Sequence, residues 1–292
     1  MTGKISKLKL FLFLMPALLL LGIFFLGPII WAIYISFTNM ALSGPTALEW
    51  DFIGFQNYIR LFSEEMFYNS VKLTAFFLLG TIGGQFIFSL LIAVYLKNRG
   101  SLVRKSVEIS AIVAWVISPV VGGLAWISFV NYPNGLLNIL LEPLGFSQPW
   151  LITKPLLTAT LAHIWHNVAF SVLFFEAALD GVPGEVIDAA KIDGGNPWQI
   201  FWFITIPMIK KTILTNLVLL TLFALGAFDI IYIMTGGGPG MKSTILNIFS
   251  YRQAFSFYDI SFGAAISVIM LLLGVIISSI YIFLIGSKEK QK

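Results

Sequence analysis

Six long apolar runs constrain the fold of this chain more than any other feature of its sequence. Each run is nearly free of charged residues, and polar or turn-rich segments separate it from the next. An apolar run of about 18 residues or more is long enough to cross a membrane as a helix. Inside the membrane every backbone amide and carbonyl must be paired within the protein, which a continuous α-helix achieves. The sequence therefore predicts an all-α membrane protein with six transmembrane helices.

The overall composition supports this class. Hydrophobic residues make up 58% of the 292 residues and charged residues 11%, whereas soluble domains average about 45–50% and 25%. The basic segment Met1–Lys9 and the apolar run after it resemble a signal peptide, but the run continues to Phe37 and is expected to remain as the first span. We treat residues 1–292 as one transmembrane domain. The predicted spans are residues 10–37, 70–96, 106–130, 155–179, 208–235 and 261–285.

Prolines and glycines inside two spans predict local irregularities. Pro16 and Pro28 lie in the first span, and Pro119 precedes Gly122 and Gly123 in the third. Proline removes a helical hydrogen bond, and glycine lets neighbouring helices approach closely. We therefore expect kinks or close helix contacts at these positions.

The lysines and arginines predict the orientation of the chain. With the N-terminus in the cytoplasm, thirteen of the 18 basic residues lie inside, and positive residues concentrate on that side of membrane proteins. Both termini and the segment 180–207 are then cytoplasmic, and the basic clusters need no partner beyond the lipid bilayer, so no nucleic acid is implied. The basic residues left outside are Arg60, Lys72, Lys154, Lys242 and Arg252.

The segment 180–207 has the local sequence of two short helices joined by an elbow. It carries four of the fourteen acidic residues of the chain. Pro183 suits the first turn of one helix, and Gly194 with Gly195 can end it, because glycine adopts a left-handed conformation easily. The run Asn196–Gln199 then provides an N-cap, a proline at the first helical position and a glutamine at the third. Pro207 predicts the next break.

This elbow resembles the cytoplasmic signature loop of permease subunits in binding-protein-dependent ABC importers. The family pattern is Glu-Ala-Ala, two residues, Asp-Gly-Ala, five residues, Phe, and then Ile-x-Leu-Pro. The chain differs from it only by Asp188, Gly195 and Ile206. The resemblance implies a type I ABC importer permease fold whose cytoplasmic coupling helix contacts an ATPase. The implied coupling residues are Asp188, Ala189, Ala190, Asp193, Gly194, Gly195, Phe201, Ile204 and Pro207.

The outer segment 236–260 carries a second resemblance. A glycine-rich connector is the ordinary interpretation of such a segment. It is also similar to the Gly-Gly-Pro loop of sugar permeases, which faces the external binding protein, and Tyr251–Phe255 is shared with carbohydrate importers. The implied contacts with the binding protein are Gly236, Gly237, Gly238 and Pro239.

A polar face in the fourth span is the candidate solute site. His163, His166, Asn167 and Phe170 follow the spacing i, i+3, i+4, i+7 and share one helical face. Such a face can bind sugar hydroxyls and stack on a sugar ring, or it can hold neighbouring helices together. A metal site lacks a third good ligand. The resemblance favours solute contact on this span and in the middle of the next one, near Leu220 and Phe223.

Several functions lack the residues that they would require. The chain has no cysteine, and no nucleophile–base pair or metal triad suggests an enzyme. Gly237–Ser243 fails as a phosphate loop because Met241 replaces the glycine that precedes the lysine. Glu176 and Asp229 are charged residues within predicted spans, where such groups mark function, pairing or contact with the interface. We expect no cofactor in this chain, with ATP and Mg²⁺ bound by separate subunits.

The resemblance implies a complex in the inner membrane of a prokaryote. Its members would be a second homologous permease, two ATP-binding subunits and an extracytoplasmic solute-binding protein. ATP-driven closure would move the elbows and reorient the spans by alternating access. The solute would be a sugar or oligosaccharide, with glycerol phosphate, an amino acid or a peptide as alternatives. A secondary transporter is a further alternative, but no similarity between the two halves supports it.

Overall fold

The computed structural model describes residues 7–97 and 99–286. Within them no β-strand is found, and one isolated bridge joins Thr38 to Phe52. The predicted all-α class is confirmed. The basic residues Lys4, Lys288, Lys290 and Lys292, which were assigned to the cytoplasmic termini, lie outside the described residues.

Sixteen α-helices follow one another along the described chain. The first six are α1 (Lys7–Leu21), α2 (Gly27–Ile35), α3 (Gln56–Ser63), α4 (Glu65–Lys97), α5 (Ser101–Val116) and α6 (Pro119–Val130). The next five are α7 (Leu136–Leu141), α8 (Trp150–Thr153), α9 (Pro155–Asp180), α10 (Gly184–Ile192) and α11 (Pro197–Ile200). The last five are α12 (Ile206–Met208), α13 (Lys210–Leu225), α14 (Asp229–Thr235), α15 (Leu246–Tyr251) and α16 (Ile260–Gly286).

Helices long and apolar enough to cross a membrane account for most of the predicted spans. Four unbroken stretches qualify within the described residues, and two bent pairs would raise the number to six. The second, fourth and sixth predicted spans correspond to α4, α9 and α16. In the first span a π-helical turn, Gly22–Leu26, joins α1 to α2 just before Pro28. A wide turn at this place is expected, because proline has no N–H to donate.

The expectation of a continuous helix is wrong in the third predicted span. Helix α5 ends at Val116, the chain is extended at Ile117 and Ser118, and α6 starts at Pro119. The two helix axes differ by 106°. Proline disfavours helical geometry in the residue before it, so Pro119 starts a new helix instead of kinking the old one.

A continuous helix is also wrong in the fifth predicted span. Helix α13 ends at Leu225 and α14 starts at Asp229. The Asn247 side chain donates to the carbonyls of Leu225 and Ala227 at 2.8 and 2.7 Å. The break therefore persists because a side chain pairs backbone groups that the helix no longer pairs. Asp229 lies in the first turn of α14, where its charge complements the positive helix end.

The chain divides into two compact units. One contains the described residues up to Tyr68 together with Phe249–Leu272, and the other contains Asn69–Ile248 with the described residues after Leu272. In the first unit Asn57 donates to the carbonyls of Ser36 and Thr38 at 2.9 and 2.8 Å.

The second unit has two apolar clusters that position the candidate sites. One is centred on Phe77, Ala159 and Ile231, and Gly123 packs against Ile233 beside it. The other joins Phe175 and Leu179 of α9 to Val182, Ile209 and Ile213. The predicted close helix contact at Gly123 is confirmed, because a β-carbon there would lie 3.1 Å from the Ile233 side chain.

Candidate functional site

The predicted elbow of residues 180–207 is confirmed as two short helices joined by a turn, and the second helix is capped. Helix α10 ends at Ile192, and Gly194 has a left-handed φ of +84°. Asn196 and Gln199 form a reciprocal capping box, with bonds of 2.8 and 3.0 Å between side chain and backbone. The structure corrects the role of Pro183, which is the N-cap of α10 and not a residue of its first turn.

The break predicted at Pro207 is misplaced by two residues. A π-helical turn, Phe201–Thr205, continues into α12, and the chain leaves helical geometry at Ile209. Pro207 follows this π-helical turn, as Pro28 follows the π-helical turn of the first span, and a wide turn accommodates a proline, which has no N–H to donate. The segment Pro197–Met208 then meets α13 at an angle of 68°.

Gly195 is the tightest point of the elbow. Its amide donates to the Ala190 carbonyl at 2.9 Å. A β-carbon at this position would lie 2.9 Å from that carbonyl oxygen and 3.2 Å from Ile200. The alanine of the family pattern therefore does not fit here without a shift of the backbone.

The elbow is attached to the spans on one side and open on the other. Ile187 and Ile206 pack against the cluster around Phe175 and Leu179. On the open side the exposed fractions of Ile192 and Trp198 are 86% and 70%. None of the nine predicted coupling residues is buried, and Asp188 pairs with Lys191 at 2.8 Å. Their coupling role stays a prediction.

The polar face of α9 divides between two environments. His163 and His166 are buried, and the ring of His163 packs edge-on against Phe77. His166 donates through Nε2 to the carbonyl of Ile117 at 2.8 Å. Because a carbonyl can only accept, Nε2 carries the proton. His166 thus pairs the backbone oxygen that is exposed at the break between α5 and α6.

The close contact predicted at Gly122 is explained by the same histidine. A β-carbon on Gly122 would lie 3.2 Å from the His166 ring. The glycine allows α6 to approach α9, and the approach brings the break within reach of the imidazole. His166 therefore holds helices together in this structure.

The other half of the face borders an aromatic cleft. Asn167 donates to the carbonyl of His163 at 3.1 Å, and Phe170 turns toward Trp115 and Phe223, with ring centroids 5.9 and 5.3 Å away. The cleft has a volume of about 520 Å³. It is lined by Trp115, Phe170, Leu173, Phe174, Ala177, Ala178 and Thr212.

The structure places the remaining predicted solute contacts differently. Phe223 of α13 is partly exposed beside Phe170, whereas Leu220 is buried. Trp115 was not among the predicted residues. It precedes the break by two residues, and no sequence pattern pairs it with Phe170, because helix packing alone brings α5 to α9. Solute contact by the predicted residues stays a prediction.

The predicted binding-protein loop has a defined shape. Gly236 and Gly237 have φ values of +58° and +90°. Thr244 donates to the Gly237 carbonyl at 2.8 Å, and Ser243 to the Gly238 carbonyl at 3.0 Å. A β-carbon on Gly237 would lie 2.7 Å from the Thr244 hydroxyl. Residues 236–239 therefore form an ordered loop held by the residues that follow it.

No cluster of three or more metal-ligating side chains occurs in the part of the chain that the structure describes. The polar atoms of the α9 face bond to the protein backbone.

Known proteins are similar to this chain in sequence. Residues 85–288 match the family described as the binding-protein-dependent transport system inner membrane component. The sulfoquinovosyl glycerol transport permease SmoG of Agrobacterium fabrum is 31% identical over 97% of this chain and 92% of its own. The trehalose/maltose permease MalF of Thermococcus litoralis is 30% identical over 93% and 92%. The glycerol-3-phosphate permease UgpA of Yersinia pestis is 31% identical over 90% and 89%.

A solved structure confirms the predicted type I permease fold. A chain of a bacterial alginate ABC transporter, crystallised with an alginate-bound periplasmic protein, superposes with a TM-score of 0.79. Its sequence is 21% identical, and the match covers 94% of this chain and 93% of the other. The family that the signature loop predicted is thus confirmed. The protein is a permease component of an ABC transporter and belongs to the family of binding-protein-dependent transport system inner membrane components.

Proposed function

We propose that this permease admits a neutral sugar or oligosaccharide during ATP-driven import. The observation that carries the proposal is the aromatic cleft between α5, α9 and α13. Its volume of about 520 Å³ lies in the range of small-molecule sites. Trp115 and Phe170 offer aromatic faces to the C–H surface of a sugar ring, and Thr212 offers a hydroxyl. One of the relatives is named for the transport of trehalose and maltose, which are neutral sugars.

The main alternative is glycerol phosphate, which the similarity to UgpA favours. Phosphate recognition uses arginine or lysine, because their charged N–H groups match the phosphate oxygens. The lining of the cleft contains no basic side chain. An amino acid would likewise require charged partners for its two termini. The cleft therefore fits a neutral solute better than either alternative.

Within this proposal the predicted contact residues divide by their environment. Phe170 and Phe223 contact the solute, and Asn167 lies one turn from Phe170 on the same helix. His163, His166 and Leu220 are buried and do not line the cleft. This division favours helix packing for the two histidines.

The remaining subunits supply the energy and the solute. Two ATP-binding subunits, which hold ATP and Mg²⁺, cover the open side of the elbow. Their contact would bury Ile192 and Trp198, whose exposure is otherwise costly for apolar side chains. A second permease completes the pathway, and an external binding protein meets the loop 236–239. Both termini of this chain are cytoplasmic.

Proteoliposomes containing the complete complex test this function. We expect uptake of maltose or trehalose that requires internal ATP and the binding protein. This chain alone should neither hydrolyse ATP nor transport. Uptake of glycerol 3-phosphate without neutral sugar would favour the alternative solute. Uptake driven by an ion gradient without ATP would overturn the proposal.

Phe170→Ala tests the cleft in the same assay. Loss of an aromatic contact of about 0.5–1.5 kcal/mol should weaken solute uptake roughly 2- to 10-fold. Phe88→Ala is the matched control, because Phe88 is an exposed phenylalanine of α4. Equal effects of the two changes would remove Phe170 from the solute path.

A further inference from the structure

Arg104 is the centre of a charged cluster at one end of α5 and α9. Its Nε lies 2.7 Å from Glu108 and 3.3 Å from Glu176, and its Nη2 lies 2.9 Å from Asp180. Glu108 belongs to α5, whereas Glu176 and Asp180 belong to α9. One guanidinium thus joins two helices through three carboxylates.

Burial makes this cluster dependent on Arg104. Glu176 is only 5% exposed, and its Oε1 has no hydrogen-bond partner in the described residues. Without the arginine, a buried carboxylate would face two like charges. A buried ion pair is weak evidence for stability, but removal of one partner is strongly unfavourable. The cluster therefore holds the two helices together through a single residue.

The cluster lies where the elbow leaves the membrane spans. Asp180 is both the last residue of α9 and the first residue of the elbow. Leu179 packs with Val182 and with Ile187 of the elbow. Lys97 of α4 donates to the Leu179 carbonyl at 3.0 Å. Any movement of the elbow therefore reaches α9 at the position that Arg104 joins to α5.

The same two helices both contribute side chains to the lining of the aromatic cleft. Trp115 is on α5, and Phe170 is on α9. If the elbow moved α9 alone, the distance between the Trp115 and Phe170 rings would change, and the two sides of the cleft would not move together. A rigid link between the two helices prevents this.

We propose that Arg104 is a positioning residue that fixes α5 to the end of α9, so that the elbow moves both sides of the cleft together. The inference rests on the proposed function, because it assumes that ATP binding moves the elbow. It adds to the transport mechanism a residue that lies 76 positions before Asp180 in the sequence.

A distance measurement in the complete complex tests the link directly. The chain has no cysteine, so Leu102→Cys and Ile192→Cys provide two specific sites for spin labels. Their side chains are 79% and 86% exposed, on α5 and on the elbow. We expect one narrow label-to-label distance, both without nucleotide and with trapped ATP. Arg104→Gln should broaden or shift this distance when nucleotide is bound, because α5 no longer follows the elbow.

Two further variants distinguish a link from general stability. Arg99→Gln is the matched control, since the Arg99 guanidinium lies 4.4 Å from the Tyr95 ring centroid and outside the cluster. It should leave the distance unchanged. Arg104→Lys keeps a positive charge beside the three carboxylates and should keep the narrow distance. A purely structural role predicts a lower melting temperature with no nucleotide-dependent change in distance.

Each outcome decides the proposal. A parental distance in Arg104→Gln, in both nucleotide states, overturns it. If Arg104→Gln fails to assemble, Glu176→Gln combined with Asp180→Asn removes both ion pairs between α5 and α9 and decides by the same criterion. The measurement requires no solute. Failure of sugar uptake by the parental complex therefore counts against the proposed function alone, and unchanged distances with intact uptake count against Arg104 alone.

Discussion

The elbow and the two interrupted spans are both breaks in helical structure, but different parts of the sequence determine them. In the elbow, Asn196 and Gln199 bond with each other, and Gly194 adopts a left-handed conformation. All three lie within six residues of one another. In the spans, His166 bonds a carbonyl 49 residues before it, and Asn247 bonds carbonyls 22 and 20 residues before it. The break in the elbow is stabilised by local contacts, and the breaks in the spans are stabilised by tertiary contacts.

The difference follows from the surroundings of each break. Water can satisfy the backbone groups of an exposed elbow, so local capping is sufficient. An interrupted span has no such solvent, and a second helix must supply the partner. Asn138 does the same for the carbonyls of Val130 and Asn131, at 3.0 and 2.9 Å. Amide and imidazole side chains thus replace water at helix ends in the second unit.

The largest effect on stability should come from Asn247→Leu. This change leaves two backbone carbonyls without their donor, and each such loss costs about 1–3 kcal/mol. Thermal unfolding of the purified complex measures the effect as a lower melting temperature. Asn69→Leu is the matched control at an exposed asparagine of α4, and it should have little effect. Equal stability of the two variants would show that the break between α13 and α14 does not depend on the distant side chain of Asn247.

A smaller loss of stability is expected for His166→Ala. Only the Ile117 carbonyl loses its donor, at a cost of about 1–3 kcal/mol. Asn167→Ala is the neighbouring control, because the Asn167 amide bonds within its own helix. Melting temperature and uptake specificity are measured on the same preparations. An altered solute preference in Asn167→Ala with normal stability would show that the face contacts solute, whereas the reverse pattern would assign it to helix packing.

Gly194→Val is expected to have the smallest effect on stability of these three changes. It is also expected to have the largest effect on transport. A side chain at φ +84° costs about 1–2 kcal/mol, although no atom lies within 4 Å of the new β-carbon. ATP-driven uptake should be lost while the protein remains in the membrane. Gly184→Val tests the same substitution on the same elbow at a glycine without positive φ, and it should retain uptake. Wild-type uptake by Gly194→Val would remove the elbow geometry from the coupling mechanism.

The sequence predicts those parts of the structure whose causes are local. The elbow at Gly194 and the capping box at Asn196 depend on neighbouring residues, so their positions were predictable. Pro119 predicted an irregularity in the third span but not a full interruption of the helix. The interruption depends on His166, which donates to the Ile117 carbonyl and lies 49 residues away. Only one of the two cleft residues Trp115 and Phe170 was predicted from the sequence. Phe170 belongs to a recognisable helical face, whereas Trp115 joins it only through tertiary packing.

The bond between His166 and Ile117 imposes an order on the biogenesis of the protein. Synthesis proceeds from the N-terminus at about 5–20 residues per second, so His166 is added about 2–10 s after Ile117. During that interval the Ile117 carbonyl has no imidazole to bond, and α5 and α6 cannot settle at their final angle. A slow codon between these helices would therefore lengthen the period in which the Ile117 carbonyl of the nascent chain lacks this donor.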